Sequence, residues 1–286
     1  MKGMNKWSRR QLIKNGAVAI IGTPMVLSRD YNEYADVLAD EPWHGMKAGV
    51  ASYTFRKFSV DDTIKAMKRL NLSYISIKDF HLPLDSTTEQ RKAVVQKFKD
   101  AGITPVSCGN ITMKNEEADI RRAFEYARDC GMFDIVCSPD PASMPILDKM
   151  VKEFDIRIAI HNHGPEDKKF PSPHEVWKAV QPYDRRIGLC IDIGHTARAK
   201  ADPAETILKY KERLYDLHFK DIASMEPEGE TVPGGRGVLN LRAVIKALVK
   251  IKYSNLLAVE YEGSEDDPVA EVAETIGYAK GLIRGL

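Results

Sequence analysis

The sequence predicts a single closed (β/α)8 TIM barrel. Three observations carry that expectation. From about residue 47 the chain alternates short β-rich apolar runs with helical patterns eight times. The strand starts lie 23 to 42 residues apart, the size of one strand–helix unit. An open doubly wound sheet needs a glycine-rich phosphate loop after its first strand, and Tyr53-Thr-Phe-Arg-Lys57 is not one. Repeated strand–helix units demand a parallel sheet with helices outside, which closes most simply as a barrel.

The eight strands are expected at Ala48–Tyr53, Tyr74–Lys78, Thr104–Cys108, Asp134–Cys137, Arg157–His161, Ile187–Asp192, Leu214–Phe219 and Leu256–Glu260. The helices between them carry start signals. Ser86…Glu89 and Ser172…Glu175 have capping-box spacing, the second with a proline at its first helical position, and Asp202-Pro203 and Asp267-Pro268 are similar. Apolar residues recur at helical spacing, as in Ile64, Met67 and Leu70, or Leu241, Val244, Ile245 and Leu248. Gly102 and Gly131 stop two of the helices.

Residues 1–28 differ from the rest. They hold five basic residues (Lys2, Lys6, Arg9, Arg10, Lys14) and no acidic one. Ser8-Arg9-Arg10-Gln11-Leu12-Ile13-Lys14 followed by the apolar stretch Gly16 to Leu27 resembles a twin-arginine export signal, so a periplasmic location is expected. Residues 29–46 read as an entry segment and 47–286 as the catalytic barrel. The 286 residues carry 42 basic and 41 acidic side chains, and without the five basic residues of the first segment the remainder is mildly acidic, at 37 against 41. That balance argues against a nucleic-acid partner. No apolar run reaches the ~18–20 residues of a membrane span, so none is expected once the signal is removed. Cys108, Cys130, Cys137 and Cys190 form no C-x-x-C pair and read as small buried hydrophobes. The exposed helix faces of a barrel leave room for a homo-oligomer.

Barrel active sites sit at the C-terminal ends of the strands. Five of the seven histidines (His81, His161, His163, His195, His218) fall there. Four neighbouring strands each end in one good ligand: His161, Asp192, His218 and Glu260. Each follows an apolar run and can point into the mouth. Two imidazoles and two carboxylates suit one divalent ion such as Mn²⁺, Zn²⁺, Fe²⁺ or Co²⁺.

The motifs Ile160-His-Asn-His-Gly164, Cys190-Ile-Asp-Ile-Gly-His195, Leu217-His-Phe-Lys-Asp221 and Ala258-Val-Glu-Tyr-Glu262 resemble those of the xylose-isomerase-like barrel superfamily of sugar isomerases and epimerases, which also contains endonuclease IV. The resemblance spans residues 47–286. It implies that Asp192, His218 and Glu260 bind metal and that His195 faces the substrate. Epimerase-type members usually carry a carboxylate, as in E-N-H-G, where this chain has His161. Their symmetrical exchange of a proton between two carboxylates therefore needs another base here, with Lys78, His163 and Lys220 available.

The expected chemistry is proton abstraction next to the carbonyl of a small carbohydrate, through a metal-stabilised ene-diolate. The catalytic candidates are Glu260, His195, Lys78 and Lys220. His81, Asn162, His163, Arg198 and Arg236 are the expected substrate contacts, and Gly234-Gly-Arg-Gly237 has the pattern of an anion-binding nest. Isomerisation or epimerisation is the first expectation, and lyase or hydrolase chemistry on a keto-glycoside the alternative. An endonuclease IV-like phosphodiesterase would need further ligands after His218, where the chain reads Asp221-Ile-Ala-Ser-Met-Glu226. A non-catalytic sugar-binding barrel shares the fold but needs no metal.

Overall fold

The computed structural model describes residues 42–286. The signal-like segment and most of the entry segment lie outside the described residues. Eight parallel strands close into a barrel: β1 (Lys47–Ala51), β2 (Tyr74–Ile77), β3 (Thr104–Met113), β4 (Asp134–Pro139), β5 (Arg157–His161), β6 (Ile187–Asp192), β7 (Leu214–Phe219) and β10 (Leu256–Val259). A separate antiparallel pair, β8 (Asp221–Ile222) and β9 (Thr231–Val232), lies between β7 and β10 in the chain. The helices are α1 (Val60–Leu70), α2 (Thr88–Asp100), α3 (Glu117–Cys130), α4 (Met144–Phe154), α5 (Pro173–Val180), α6 (Ile193–Arg198), α7 (Pro203–Tyr210), α8 (Leu241–Lys250) and α9 (Val269–Arg284).

Local chemistry sets the helix starts. Ser59, Ser172, Asp202 and Asn240 each accept a backbone N–H from the first turn that follows, satisfying a donor the helix cannot. The box expected at Ser86…Glu89 forms one residue later, from Thr87 and Gln90, because Ser86 Oγ instead donates to the Pro83 carbonyl at 2.6 Å. Most of the core lies in one large apolar cluster that includes Phe98, Phe124, Leu189 and Ile245. The four cysteines are buried and free, as expected.

At the ends that face the site, β2 and β10 stop one residue short of expectation and β4 runs two further, to Pro139, while the first and third strands differ in ways that shape the mouth. The first was expected to reach Tyr53 but stops at Ala51, and Ser52–Phe55 form a 3-10 turn. Ser52 Oγ accepts the Lys78 N–H at 2.8 Å, which pins that turn across the end of β2. The third continues to Met113 rather than ending at Cys108, pairing Ile111 with Cys137 after an irregularity. Gly109 allows this, with φ +137°, at a point where a Cβ would lie 2.1 Å from the Val136 carbonyl oxygen.

The barrel interior carries a polar tie below the mouth. Ser107 on β3 donates to Asp216 Oδ2 on β7 at 3.0 Å. These strands lie on opposite sides of the barrel, so the bond crosses its lumen. Asp216 and His218 alternate on one strand and share its inward face. Burial pushes the Asp216 carboxyl up to about 7, against the opposing pull of His218. The folded state therefore keeps a proton that the unfolded chain releases near ~3.9. Stability should fall as pH rises from about 4 through 7, by on the order of a few kcal/mol. Urea midpoints of the metal-free protein at pH 5, 7 and 8.5 should show that decline, and Asp216→Asn should flatten it. An unchanged slope in the variant would assign the decline to other groups.

Candidate metal centre and active-site mouth

The four expected ligands come together. One atom from each of His161, Asp192, His218 and Glu260 lies within 4.8 Å of every other. They sit on β5, β6, β7 and just beyond β10, four successive neighbours around the barrel. His161 Nε2 is 3.1 Å from His218 Nδ1 and 3.5 Å from Asp192 Oδ2. His218 Nδ1 is 3.0 Å from Glu260 Oε2 and 3.7 Å from Asp192 Oδ2. A tetrahedral ion with bonds of ~2.1 Å separates its ligands by about 3.4 Å, and these distances bracket that value.

The donor chemistry agrees. Asp192 Oδ1 caps α6 by accepting the His195 N–H at 2.8 Å. Its Oδ2 is buried without a hydrogen bond and faces the cluster; Lys220 Nζ approaches it to 2.9 Å outside hydrogen-bonding geometry. Burial opposes ionisation of Asp192, but His195, Lys220, His161 and His218 outweigh it and hold the carboxyl well below its usual range. Glu260 is likewise held low by His218 and Lys220 against burial. Burial keeps His161 neutral, while Cys190, Glu260 and Asp192 raise His218 despite its burial. Two imidazole nitrogens 3.1 Å apart need a proton between them, and a divalent cation supplies the same attraction to all four donors. His161, His218 and Cys190 form a second candidate set. Burial pushes the Cys190 thiol up to about 12, so the two carboxylates are the better partners for a cation.

Lys220 is 3 % exposed and bridges the acidic side of the cluster. Its Nζ is 2.8 Å from Glu260 Oε2 and also donates to Glu262. Glu262 was not among the expected site residues. It stands two residues beyond Glu260, and its side chain is about one-third exposed. Its signal was the alternation Glu260-Tyr-Glu262, which returns to one face every second residue.

His195 stands on α6 beside the cluster. Arg198 Nη2 lies 2.8 Å from His195 Nδ1. A guanidinium only donates, so Nδ1 must accept and the ring proton belongs on Nε2. Nε2 lies 3.9 Å from Asp192 Oδ2. Burial keeps this imidazole neutral. Arg198 also donates to Glu166 and to the Pro227 carbonyl, which fastens α6 to two loops.

Several expected substrate contacts stand elsewhere. His81 is buried beside Ser52, with Nδ1 3.0 Å from its Oγ and Nε2 3.2 Å from Thr63 Oγ1. Both ring nitrogens are thus committed to packing the β1 turn onto α1. Asn162 is also buried: its Oδ1 accepts the Asp192 N–H at 3.0 Å and its Nδ2 donates to Thr196 Oγ1 at 3.1 Å. It therefore holds β5 against β6 instead of facing the mouth. Arg236 points outward and pairs with Glu274 at 2.6 and 2.7 Å. The glycine-rich nest is filled from within, since Asp221 accepts the N–H groups of Gly235, Gly237 and Leu239. A Cβ on Gly237 would lie 2.2 Å from Asp221 Oδ1.

One cavity opens over the cluster and a second adjoins it. The first, of about 360 Å³, is lined by His161, His218 and Glu260 together with Tyr53, Lys78, Asn110 and Thr112. Asn110 and Thr112 reach it because β3 runs past Cys108. Lys78 pairs there with Asp79 at 2.7 Å. The other, of about 640 Å³, includes Arg198, Lys220 and the Glu228–Thr231 segment. His163, His195 and Glu262 line both. Among the described residues no helix is long and apolar enough to cross a membrane.

Comparison with known proteins agrees with this architecture. Over 150 residues the chain is 28% identical to the rhizopine catabolism protein MocC of Rhizobium meliloti, covering 47% of this chain and 44% of that one. It is 25% identical over 150 residues to an inosose dehydratase of Clostridium botulinum, covering 46% and 48%. The matches thus span under half the length of either relative. A solved 3-keto-D-glucoside 4-epimerase from E. coli superposes with a TM-score of 0.67 at 14% identity, over 82% of this chain and 99% of the other, and shows the same fold. The family model for the xylose isomerase-like TIM barrel matches residues 55–282, and the chain belongs to that family.

Proposed function

We propose that the protein is a divalent-metal-dependent enzyme that removes a proton next to a carbonyl on a small carbohydrate. The observation that carries this reading is the buried convergence of His161, Asp192, His218 and Glu260 beneath an open polar cavity. A divalent ion held by these four groups supplies Lewis-acid polarisation of a substrate oxygen and offsets developing negative charge. His195 offers its Nε2–H to a substrate hydroxyl or carbonyl, fixed in that tautomer by Arg198. Lys78 faces the same cavity and can stabilise an oxyanion.

The proton-moving base in this reading is Glu262. Glu260 is held strongly ionised by His218 and Lys220, which makes it a weak base and a good ligand. Glu262 borders both cavities, and among the described residues it pairs with Lys220 and forms no ion pair with His161 or His218. Lys220, between the two carboxylates, orients them. His163 is the exposed imidazole of the mouth and is available to relay a proton on the other side.

Isomerisation or epimerisation is one outcome of this chemistry. Elimination of a group β to the carbonyl is the second, and the replacement of a usual carboxylate by His161 favours it. Elimination needs one base and an acid for the leaving group, not two carboxylates facing each other across the substrate. The similarity to an inosose dehydratase points the same way.

Elemental analysis of the purified protein should find about one transition metal per chain. His161→Ala and Asp192→Ala should lose it while keeping the far-ultraviolet spectrum of a folded barrel. No metal after reconstitution with Mn²⁺, Zn²⁺, Fe²⁺ or Co²⁺ would overturn the proposal.

Exchange of the substrate α-proton with deuterated solvent, followed by NMR across a panel of keto-sugars, reads the chemical step. Glu262→Gln should slow it at least ~100-fold, as removal of a general base does, with metal content unchanged. Full exchange in that variant would return the role to Glu260, Lys78 or Lys220. An ultraviolet-absorbing enone accumulating from a keto-substrate would identify elimination, and a new stereoisomer would identify epimerisation.

Export of the folded protein by a twin-arginine route belongs to the same proposal, with a periplasmic site of action. Replacing both Arg9 and Arg10 with lysine should leave the protein in the cytoplasmic fraction of its native host, and continued export would exclude that route.

A further inference from the structure

The larger cavity shares His163, His195, Lys220 and Glu262 with the chemistry just described but extends beyond them. His163, His195 and Glu262 are common to it and the cavity over the ligands, and Glu228, Gly229, Glu230 and Thr231 line the larger one only. At about 640 Å³ it exceeds the 360 Å³ of the cavity over the ligands. Together the two fall at the upper end of small-molecule sites, which run to ~1,000 Å³.

Its charges are unequal. Glu166, Glu228, Glu230 and Glu262 line it, against Arg198 and Lys220. Both cations are already engaged, Arg198 with Glu166 and Lys220 with Asp192, Glu260 and Glu262. No basic side chain among the described residues pairs with Glu228 or Glu230. A phosphate or carboxylate entering here would meet uncompensated negative charge, whereas sugar hydroxyls would find acceptors.

We propose that this second cavity binds an uncharged glycosyl unit, so that the substrate is a neutral glycoside and not a free or phosphorylated sugar. The inference rests on the reading of the neighbouring site as a carbohydrate site. Thr231 and Glu230 set the specificity from a wall outside the chemical centre.

Calorimetric titration of the metal-loaded full chain tests this. The probes are glucose, maltose, cellobiose, trehalose and glucose 6-phosphate, each with its mono-keto derivatives. At least one disaccharide form should bind 10-fold or more tightly than the matching glucose form, and no phosphorylated form should exceed its neutral counterpart. Thr231→Trp should remove the disaccharide advantage while leaving monosaccharide binding and metal content intact. Glu230→Lys should raise affinity for glucose 6-phosphate several-fold, which checks the charge argument should the tryptophan variant fail to fold. Equal binding of mono- and disaccharides, or tighter binding of the phosphate by the unaltered protein, would overturn the inference. Failure of the neighbouring chemistry is separable: a disaccharide preference without α-proton exchange leaves the subsite standing, and exchange on free sugars without that preference removes the subsite alone.

Discussion

Four groups with lone pairs aimed at one another, held in a buried barrel mouth, are the constraint around which the rest of the site is arranged. Imidazole and carboxylate acceptors 3 to 4 Å apart do not attract unless a cation or proton lies between them. The surroundings hold them there nonetheless. Asn162 locks the ends of β5 and β6 together, Asp192 uses one oxygen as a helix cap, and Lys220 brings one positive charge to the acidic edge. Strand pairing fixes the heights, since Asp192 lies opposite His218 and His161 opposite Cys190. A rigid framework of this kind keeps ligands in place before the ion arrives, which is how a site achieves affinity without rearrangement.

The presence of His161 in place of the usual carboxylate changes the character of the mouth. The donor set carries two negative charges, those of Asp192 and Glu260, and Lys220 already balances one. Lys220 also pairs with Glu262, so a bound divalent ion would bring the whole group close to neutral, which would still favour negative charge developing on a substrate oxygen over the bare acidic cluster. The same change removes symmetry. Acidic groups gather on the side of Glu260 and Glu262, and imidazoles on the side of His161, His163 and His195. A substrate lying between them would meet a carboxylate face and an imidazole face, an acceptor-only surface and one that can also donate.

The barrel was legible in the sequence because strand and helix periods alternate and because caps such as Ser172 and Asp202 act locally. The ligand set was legible for a related reason: a residue at the end of an apolar strand has a known height in a barrel. Height does not determine direction. His81 and Asn162 stand at strand ends too, but each turns to bond neighbouring backbone or hydroxyl groups that are distant in sequence. Arg236 belonged to a loop whose course depends on where α9 brings Glu274. Asn110 and Thr112 were missed because β3 outruns its apolar segment, and Glu262 because it follows a stronger candidate. The glycine run after β9 was read as a nest for an outside anion; the anion is Asp221, which only folding brings to it.

That internal anchoring has a consequence for how the fold can change. Asp221 gathers the backbone of residues 235–239, while β8 and β9 close the segment between them with their own pairing. The chain from Ala223 to Glu230 is thus stapled at its base independently of its own composition. Its length and side chains can vary without disturbing Lys220, which immediately precedes the staple and reaches the reaction site. The staple holds Lys220 in place, but the loop also reaches the mouth at one point, where the Pro227 carbonyl accepts from Arg198 beside His195, so a change in loop length is felt at the imidazole and not at the lysine.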